Sequence, residues 1–261
     1  MNFDRLTTTD KDGTEQTASI HPIVEMRQYT LHPGRRDTLI DLFERHLIEP
    51  QNAAGMEVLA HFRDFDAPDR FVWFRGFRDL AARGEALSAF YLHGTAWREH
   101  RDAANATMID SDNVLLLREA RPGSGFAPAR SPRPPIDARA STPAMVCVTT
   151  YSFGRPVDDA FLDFFEQAIA PAATRAGAKL LAAYASEHGH NDFPQLPVRE
   201  GENVFVWVAA FASQADHERH FQALSHSPRW RDEVQPHLSR CLVKPAEVRR
   251  LTPAARSLVQ G

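Results

Sequence analysis

Five residues on two short segments have the types and the spacing that could bind an anion. Glu25, Arg27 and Tyr29 alternate along IVEMRQYTL (23–31), and Trp73 and Arg75 alternate along FVWFRGF (71–77). Both segments are rich in β-branched and aromatic residues, which is typical of β-strands, and alternate side chains of a strand share one face. A guanidinium group binds a carboxylate or enolate oxygen through two parallel hydrogen bonds. The pattern therefore predicts a binding site for an anionic or enolisable ligand.

A structural role is the alternative for the same residues. A buried arginine is costly without a carboxylate partner, and Glu25 is the expected partner of Arg27 and Arg75. One carboxylate does not neutralise two guanidiniums, so the surplus positive charge favours an anionic ligand. In the alternative, the same residues form a salt-bridge network in a filled seam between the sheets, and no ligand binds there. His61, on the predicted strand 56–62, is expected to edge the same cavity and is a candidate base there. The predicted ligand-binding set is Glu25, Arg27, Tyr29, His61, Trp73 and Arg75, and no catalytic residue is assigned.

The other candidate motifs are weaker. The segment EHGHND (187–192) has the His-x-His spacing of a metal site but no third histidine nearby, so we expect a solvated loop and no metal. Neither Cys147 nor Cys241 has an activating histidine close in sequence. The sequence contains no motif of the serine hydrolases, P-loop enzymes or dinucleotide-binding enzymes. We expect no cofactor.

The elements that must position these residues occur twice along the chain. Residues 42–62 align with residues 164–184, and Trp73 aligns with Trp207. Each copy predicts a strand, an amphipathic helix that ends at a glycine, two strands, a second helix and a last strand. This order is the ferredoxin-like split βαβ motif, and two copies can cover each other's open sheet face. The predicted fold class is α+β, with two tandem ferredoxin-like (βαββαβ) domains.

Composition sets the domain boundaries. The second half carries an insertion at 186–203 where the first half has the short loop 63–70. Strand alternation separates the polar and aromatic set from Val24 and Met26, and we expect the polar set to face the other half and the aliphatic set to lie under the helices. Residues 122–143 are rich in proline, and we expect this segment to be a linker with few core contacts. The predicted divisions are a flexible N-terminal segment (1–21), a first domain (22–121), a Pro-rich linker (122–143), a second, divergent domain (144–253) and a C-terminal tail (254–261).

The first half resembles a known family. The segment IVEMRQYTLHPGRRDTLIDLFE is similar to the opening of NIPSNAP domains of the dimeric α+β barrel superfamily, with a strand of E-x-R-x-Y type and a Pro-Gly turn into a helix. DRFVWFRGFRDLAARGEAL, AWREH and DSDNVLLL resemble the third strand, second helix and closing strand of that family. The second half matches more weakly, since Cys147 aligns with Glu25 and Thr149 with Arg27. The resemblance implies sheet-to-sheet pairing, here as an internal dimeric α+β barrel pseudo-dimer.

The resemblance leaves the activity open. NIPSNAP-like proteins have no generally agreed activity, and the wider superfamily includes cofactor-free monooxygenases, haem enzymes and muconolactone-isomerase-type enzymes. We expect a small anionic, enolisable or aromatic molecule to bind between the two sheets, with cofactor-independent oxygenase or isomerase activity. The alternative is a non-enzymatic interaction or scaffold protein with a filled seam between the sheets.

Charge and composition limit the partners. The net charge of −4 argues against a nucleic-acid partner, which favours a basic face. No apolar run approaches the roughly 18 residues of a membrane span, and the polar N-terminus has no secretory apolar core. Two cysteines are too few for a disulfide framework. We expect a cytoplasmic protein with a small-molecule ligand and no membrane partner, and a homo-oligomer stays open.

Overall fold

A computed structural model of the chain describes residues 20–139 and 144–261, and with them two short paired strands, β1 (Thr8–Thr9) and β2 (Glu15–Gln16). Of the segment predicted to be flexible (1–21), residues 20 and 21 and the two short strands are described, and the rest lies outside the described residues, as does the end of the predicted linker at 140–143.

The first half contains the predicted order of strands and helices. Gly55, with a φ of +98°, ends the first helical segment, as the sequence predicts. The elements are β3 (Ile23–Leu31), α1 (Arg36–Leu42), a π-helical turn (Phe43–Leu47), α2 (Ile48–Ala53), β4 (Glu57–Asp64), β5 (Arg70–Phe77), α3 (Leu80–Tyr91), α4 (Thr95–Asn105), β6 (Met108–Asp110) and β7 (Val114–Glu119).

The second half repeats this order, and Gly177, with a φ of +100°, ends its first helical segment. Within the described ranges, no helix combines the length and the apolar character that a membrane crossing requires. The elements are β8 (Met145–Ser152), α5 (Asp159–Phe164), a π-helical turn (Phe165–Ile169), α6 (Ala170–Arg175), β9 (Lys179–Ser186), β10 (Val204–Phe211), α7 (Gln214–His226), a π-helical turn (Trp230–Val234), α8 (Gln235–Cys241) and β11 (Glu247–Pro253).

The strands close into a barrel. Each half pairs its strands in the same order, β7–β3–β5–β4 in the first half and β11–β8–β10–β9 in the second. Strand β4 also pairs with β11, and β9 pairs with β7, so the second strand of each half joins the fourth strand of the other. Among the described strands, eight form this closed antiparallel ring, and β6 pairs with β3 beside it. Closure leaves the ring without an unpaired edge strand.

Apolar side chains from both sheets fill the barrel interior. Val24 and Met26 of the first half belong to the same buried cluster as Val148 and Val206 of the second. Tyr29 and other residues of the opposite strand face pack instead against helices of their own half. The expectation that the polar and aromatic set faces the other half is therefore wrong, as is the expectation that Val24 and Met26 lie under the helices. Both faces of each sheet are buried, so alternation separates the two sets without showing which one points inward.

Parts of the linker and the C-terminal segment belong to the core. Phe126, from the predicted linker, is 7% exposed and packs edge-on against Phe74 with ring centroids 5.3 Å apart. Its backbone N–H donates to the hydroxyl of Tyr184 at 2.9 Å. In the predicted tail, Ser257 is fully buried, and its Oγ accepts a hydrogen bond from the backbone N of His61 at 3.1 Å. The expectation that the linker makes few core contacts is wrong at Phe126, because this ring occupies space in the barrel core.

Candidate functional site

A buried charge cluster lies between the sheet and the helices of the first half. Glu25 Oε2 accepts hydrogen bonds from Arg27 Nη1 at 2.6 Å and from Arg75 Nε at 2.8 Å. Its Oε1 accepts from Arg83 Nε, on α3, at 2.7 Å. Strand pairing places Glu25 directly opposite Arg75 across β3 and β5. All four side chains belong to residues at most 1% exposed, so three guanidiniums share one buried carboxylate.

The charges of this cluster do not balance. Burial alone would raise the pKa of Glu25, but the charges of Arg75, Arg27 and Arg83 outweigh burial and hold that pKa well below its usual range. Glu25 is therefore ionised. One further carboxylate contacts the cluster, that of Asp192, whose Oδ1 lies 2.5 Å from Arg83 Nη1. Among the described residues, three guanidiniums thus share two carboxylates, and the cluster has one more positive charge than negative charges.

Two tyrosine hydroxyls receive hydrogen bonds from the arginines. Arg27 Nε donates to Tyr29 Oη at 2.8 Å, and Arg75 Nη1 donates to Tyr91 Oη at 3.0 Å. The guanidinium carbons of Arg75 and Arg27 also lie 5.3 and 5.7 Å from the ring centroid of Trp73, within cation–π range. A hydroxyl that accepts a hydrogen bond keeps its own proton to donate. The arginines therefore leave both hydroxyl protons available for another acceptor.

Beside these hydroxyls lies a small cavity of about 30 Å³. Burial raises the pKa of Tyr29, which keeps its hydroxyl protonated. The indole Nε1 of Trp73 is buried and has no hydrogen-bond partner among the described residues. Gln51 is already engaged, since its Nε2 donates to the Leu47 carbonyl and its Oε1 accepts from an arginine. The polar side chains of the wall therefore offer mainly donors. The lining residues are Tyr29, Leu39, Phe43, Leu47, Gln51, Phe71, Trp73, Phe90, Tyr91, Trp97, Ala104 and Met108.

His61 lies on the same side of the sheet but behind the cavity wall. A register shift in β4 between Val58 and Ala60 changes the alternation, and Val58 then packs with the helices while Ala60 faces the barrel. His61 Nε2 lies 2.8 Å from Glu44 Oε1, and its ring packs against Phe43, which lines the cavity, with centroids 5.5 Å apart. Burial lowers the pKa of His61 despite the opposing effect of Glu44, which favours the neutral ring. The structure thus places His61 opposite Trp73 across β4 and β5, but outside the charge cluster and outside the cavity lining.

Three members of the site are not among the residues predicted from the sequence. Arg83 and Tyr91 lie on α3, and Asp192 lies in the insertion of the second half. A signal for Arg83 is present in the sequence. It precedes Leu87 and Phe90 at helical spacing, so a charged residue stands on the apolar face of the helix. No pattern in the sequence indicates that Asp192 reaches the first half.

The second half has the same framework without the charges. Cys147 lies opposite Ala209 across β8 and β10, as Glu25 lies opposite Arg75 in the first half. Burial raises the pKa of Cys147 to about 12, so its thiol is neutral. His217 is the fourth residue after its helix cap, as Arg83 is in the first half. Glu25 and the three arginines of the cluster therefore have no counterparts at these positions of the second half, which contributes Asp192 from its insertion instead.

The comparisons with known proteins match this division of the chain. Residues 24–121 match the model of the NIPSNAP family, which confirms the resemblance of the first half. A search of curated proteins finds no match.

Several solved structures share the fold of the whole chain. An anthrone oxidase-like protein has a TM-score of 0.56 and 13% identity, covering 93% of this chain and 97% of that one. A candidate monooxygenase from Fusobacterium nucleatum has a TM-score of 0.56 and 8% identity, covering 90% and 93%. A candidate monooxygenase from Lactobacillus acidophilus has a TM-score of 0.52 and 14% identity, covering 90% and 97%. At these identities the likeness shows the α+β barrel fold alone.

Proposed function

We propose that the first half binds a small anionic or enolisable aromatic molecule on the helix side of its sheet. The observation that carries this proposal is a donor-rich cavity wall next to surplus positive charge. Two hydroxyl protons, from Tyr29 and Tyr91, and the unpaired N–H of Trp73 belong to this wall. Arg27 and Arg75 stand directly behind the two hydroxyls. Such donors stabilise an oxygen that carries or develops negative charge.

This arrangement suits chemistry that passes through an enolate or a phenolate. An oxygen anion held by preorganised donors in a water-poor site forms more readily, because no solvent has to reorganise around it. Isomerisation then requires only the removal and return of a proton, and cofactor-independent oxygenation adds dioxygen as the oxidant. We assign the oxyanion-binding role to Tyr29, Tyr91 and Trp73, and we assign no catalytic base.

The fold is consistent with this proposal. We propose that the two halves are tandem ferredoxin-like domains that form an internal pseudo-dimer of the dimeric α+β barrel type. The repeated strand order and the two edge pairings between the halves support this interpretation. The structural neighbours include an anthrone oxidase-like protein and a candidate monooxygenase, which supports the proposal at the level of the fold alone.

Binding of 4-nitrophenol tests the proposal, because its phenolate absorbs visible light and the neutral phenol does not. The cavity of about 30 Å³ holds one or two water-sized groups, so the ring needs movement of the partly exposed outer wall at Tyr91 and Trp97. We expect the bound probe to be the phenolate at a pH where the free probe is mostly neutral.

Matched variants locate the probe. Tyr29→Phe and Tyr91→Phe should each weaken binding of the phenolate by about tenfold, equivalent to one hydrogen bond to a charged group. Tyr151→Phe removes a buried tyrosine from the strand of the second half that corresponds to β3, and it should leave binding unchanged. Binding that is absent, or that responds equally to Tyr151→Phe, contradicts the proposal.

A non-enzymatic interaction protein is the second candidate, and one observation favours it. The space between the two sheets is filled by side chains of both halves, which removes the inter-sheet ligand site expected from the sequence. A protein that binds none of the phenols or carboxylates tested, and from which mass spectrometry releases no small molecule, would favour this candidate.

A further inference from the structure

The insertion of the second half crosses to the first half and covers the charge cluster. Asn191 Oδ1 and Asp192 Oδ1 accept hydrogen bonds from Arg83 Nη1 at 3.1 and 2.5 Å. Phe193 is 3% exposed and belongs to the apolar core of the first half, with its ring 6.2 Å from that of Tyr91. This loop therefore covers the charge cluster at Arg83 and packs beside Tyr91, which lines the cavity.

Two adjacent loop residues present a carboxylate and a phenyl ring to the first half. The carboxylate of Asp192 contacts Arg83, and the ring of Phe193 packs near Tyr91, whose hydroxyl accepts from Arg75. An aromatic carboxylate would make the same two contacts. Resting on the function proposed above, we infer that the ligand of the first half is an aromatic carboxylate and that Asp192 and Phe193 occupy its place.

Asp192 is the member of the charge cluster best suited to exchange. Its side chain is one-third exposed, whereas those of Glu25 and Arg83 are fully buried. Replacing one carboxylate by another on Arg83 keeps the charge of the cluster constant, so the exchange exposes no additional unpaired guanidinium. Arg83 Nη2, which is buried and has no hydrogen-bond partner among the described residues, offers a second donor to an incoming carboxylate.

Backbone hydrogen bonds anchor the loop on both sides of Asp192 and Phe193. The Glu187 N–H donates to the Leu116 carbonyl at 2.9 Å, and the Arg199 N–H donates to the Val114 carbonyl at 2.8 Å. Gly84 permits the close approach of Asp192, since a Cβ there would lie 2.4 Å from Asp192 Oδ2. Substitution of Gly84 therefore displaces the Asp192 carboxylate without removing a charge.

Calorimetric titration with benzoate tests this inference, with benzamide as the neutral probe of the same shape. Asp192→Asn removes the competing charge and should tighten benzoate binding about tenfold while leaving benzamide binding unchanged. Gly84→Ala should change benzoate affinity in the same direction. Glu200→Gln removes one charge from an exposed position of the same loop and should leave both affinities at the wild-type value.

The outcomes separate this inference from the function on which it rests. Equal benzoate affinity in the wild type and Asp192→Asn overturns the inference, as does an equal gain in Glu200→Gln. Absence of benzoate binding in every variant also overturns it, even if 4-nitrophenol binds as a phenolate. Failure of the 4-nitrophenol experiment, in contrast, counts against the oxyanion-binding role of Tyr29 and Tyr91. Thermal denaturation of each variant shows that the titrated protein is folded.

Discussion

Replacement of Glu25 by glutamine should be among the most destabilising single changes in the first half. The side chain keeps its size but loses the charge shared by Arg27, Arg75 and Arg83. Arg83 retains Asp192, whereas the buried guanidiniums of Arg27 and Arg75 lose the one carboxylate that they contact among the described residues. Breaking one buried ion pair costs about 3–5 kcal/mol, and we expect Glu25→Gln to lose about 5 kcal/mol. That loss is comparable to the whole free energy of unfolding of many domains, at about 5–15 kcal/mol.

The second half shows how this loss can be compensated. Cys147 and Ala209 are a neutral pair at the strand positions that Glu25 and Arg75 occupy in the first half. Adding Arg75→Ala to Glu25→Gln removes one of the two unpaired guanidiniums, so the double variant should be more stable than the sum of the single losses predicts. We expect a coupling free energy of at least about 2 kcal/mol.

Urea denaturation of the wild type, both single variants and the double variant measures this coupling. A matched control, Cys147→Ser in the second half, changes the corresponding strand position without altering any charge. A loss of about 1 kcal/mol or less in Glu25→Gln, with a coupling near zero, would refute the reasoning, because exposed ion pairs have such values. The cluster would then be open to water.

Three further predictions follow from the same contacts. Arg75→Ala alone should leave the protein folded and lower its free energy of unfolding by about 1–3 kcal/mol in urea denaturation, because Glu25 retains two arginines. Complete unfolding of this variant would show that Arg75 is needed for folding itself. Because the pKa of Glu25 is lowered in the folded protein, its stabilising contribution is present above pH 4.5 and is lost as the pH falls through and below that value. The free energy of unfolding of the wild type should therefore fall more steeply in acid than that of Glu25→Gln/Arg75→Ala. Equal pH dependence of the two free energies would contradict this. Phe126→Ala should lower the free energy of unfolding by about 3–5 kcal/mol, because it leaves a cavity in the barrel core. A loss below about 1 kcal/mol in thermal or urea denaturation would place this part of the linker outside the core.

The sequence predicts the order of the elements better than it predicts the site. Periodicity and the internal repeat indicate the order of strands and helices in both halves, because these patterns depend on local spacing. They do not indicate that the second helical segment of each half is divided, into α3 and α4 in the first half and into α7 and α8 in the second. Alternation groups Glu25, Arg27 and Arg75 on one face, and the structure brings them together. The direction of that face is missed, because the barrel buries Val24 as completely as Glu25.

The remaining errors have specific causes. His61 lies opposite Trp73 on the predicted face, but Phe43 separates its ring from the cavity, and the position of that helical residue has no signature in strand alternation. Asp192 reaches Arg83 across the boundary between the halves, and such a contact depends on how the halves assemble. The burial of Phe126 is missed because Pro-rich composition predicts an extended linker, and one aromatic residue within it does not indicate where the chain passes.

A crystal structure with 4-bromobenzoate would locate the ligand, because the anomalous signal of bromine marks the ring independently of the protein density. We expect a bromine peak between the first half's sheet and helices α3 and α4, with the carboxylate on Arg83 and Asp192 displaced. A peak in the barrel interior, at the matching position of the second half or only on the outer surface would contradict the proposed site, as would the absence of any peak at a saturating concentration.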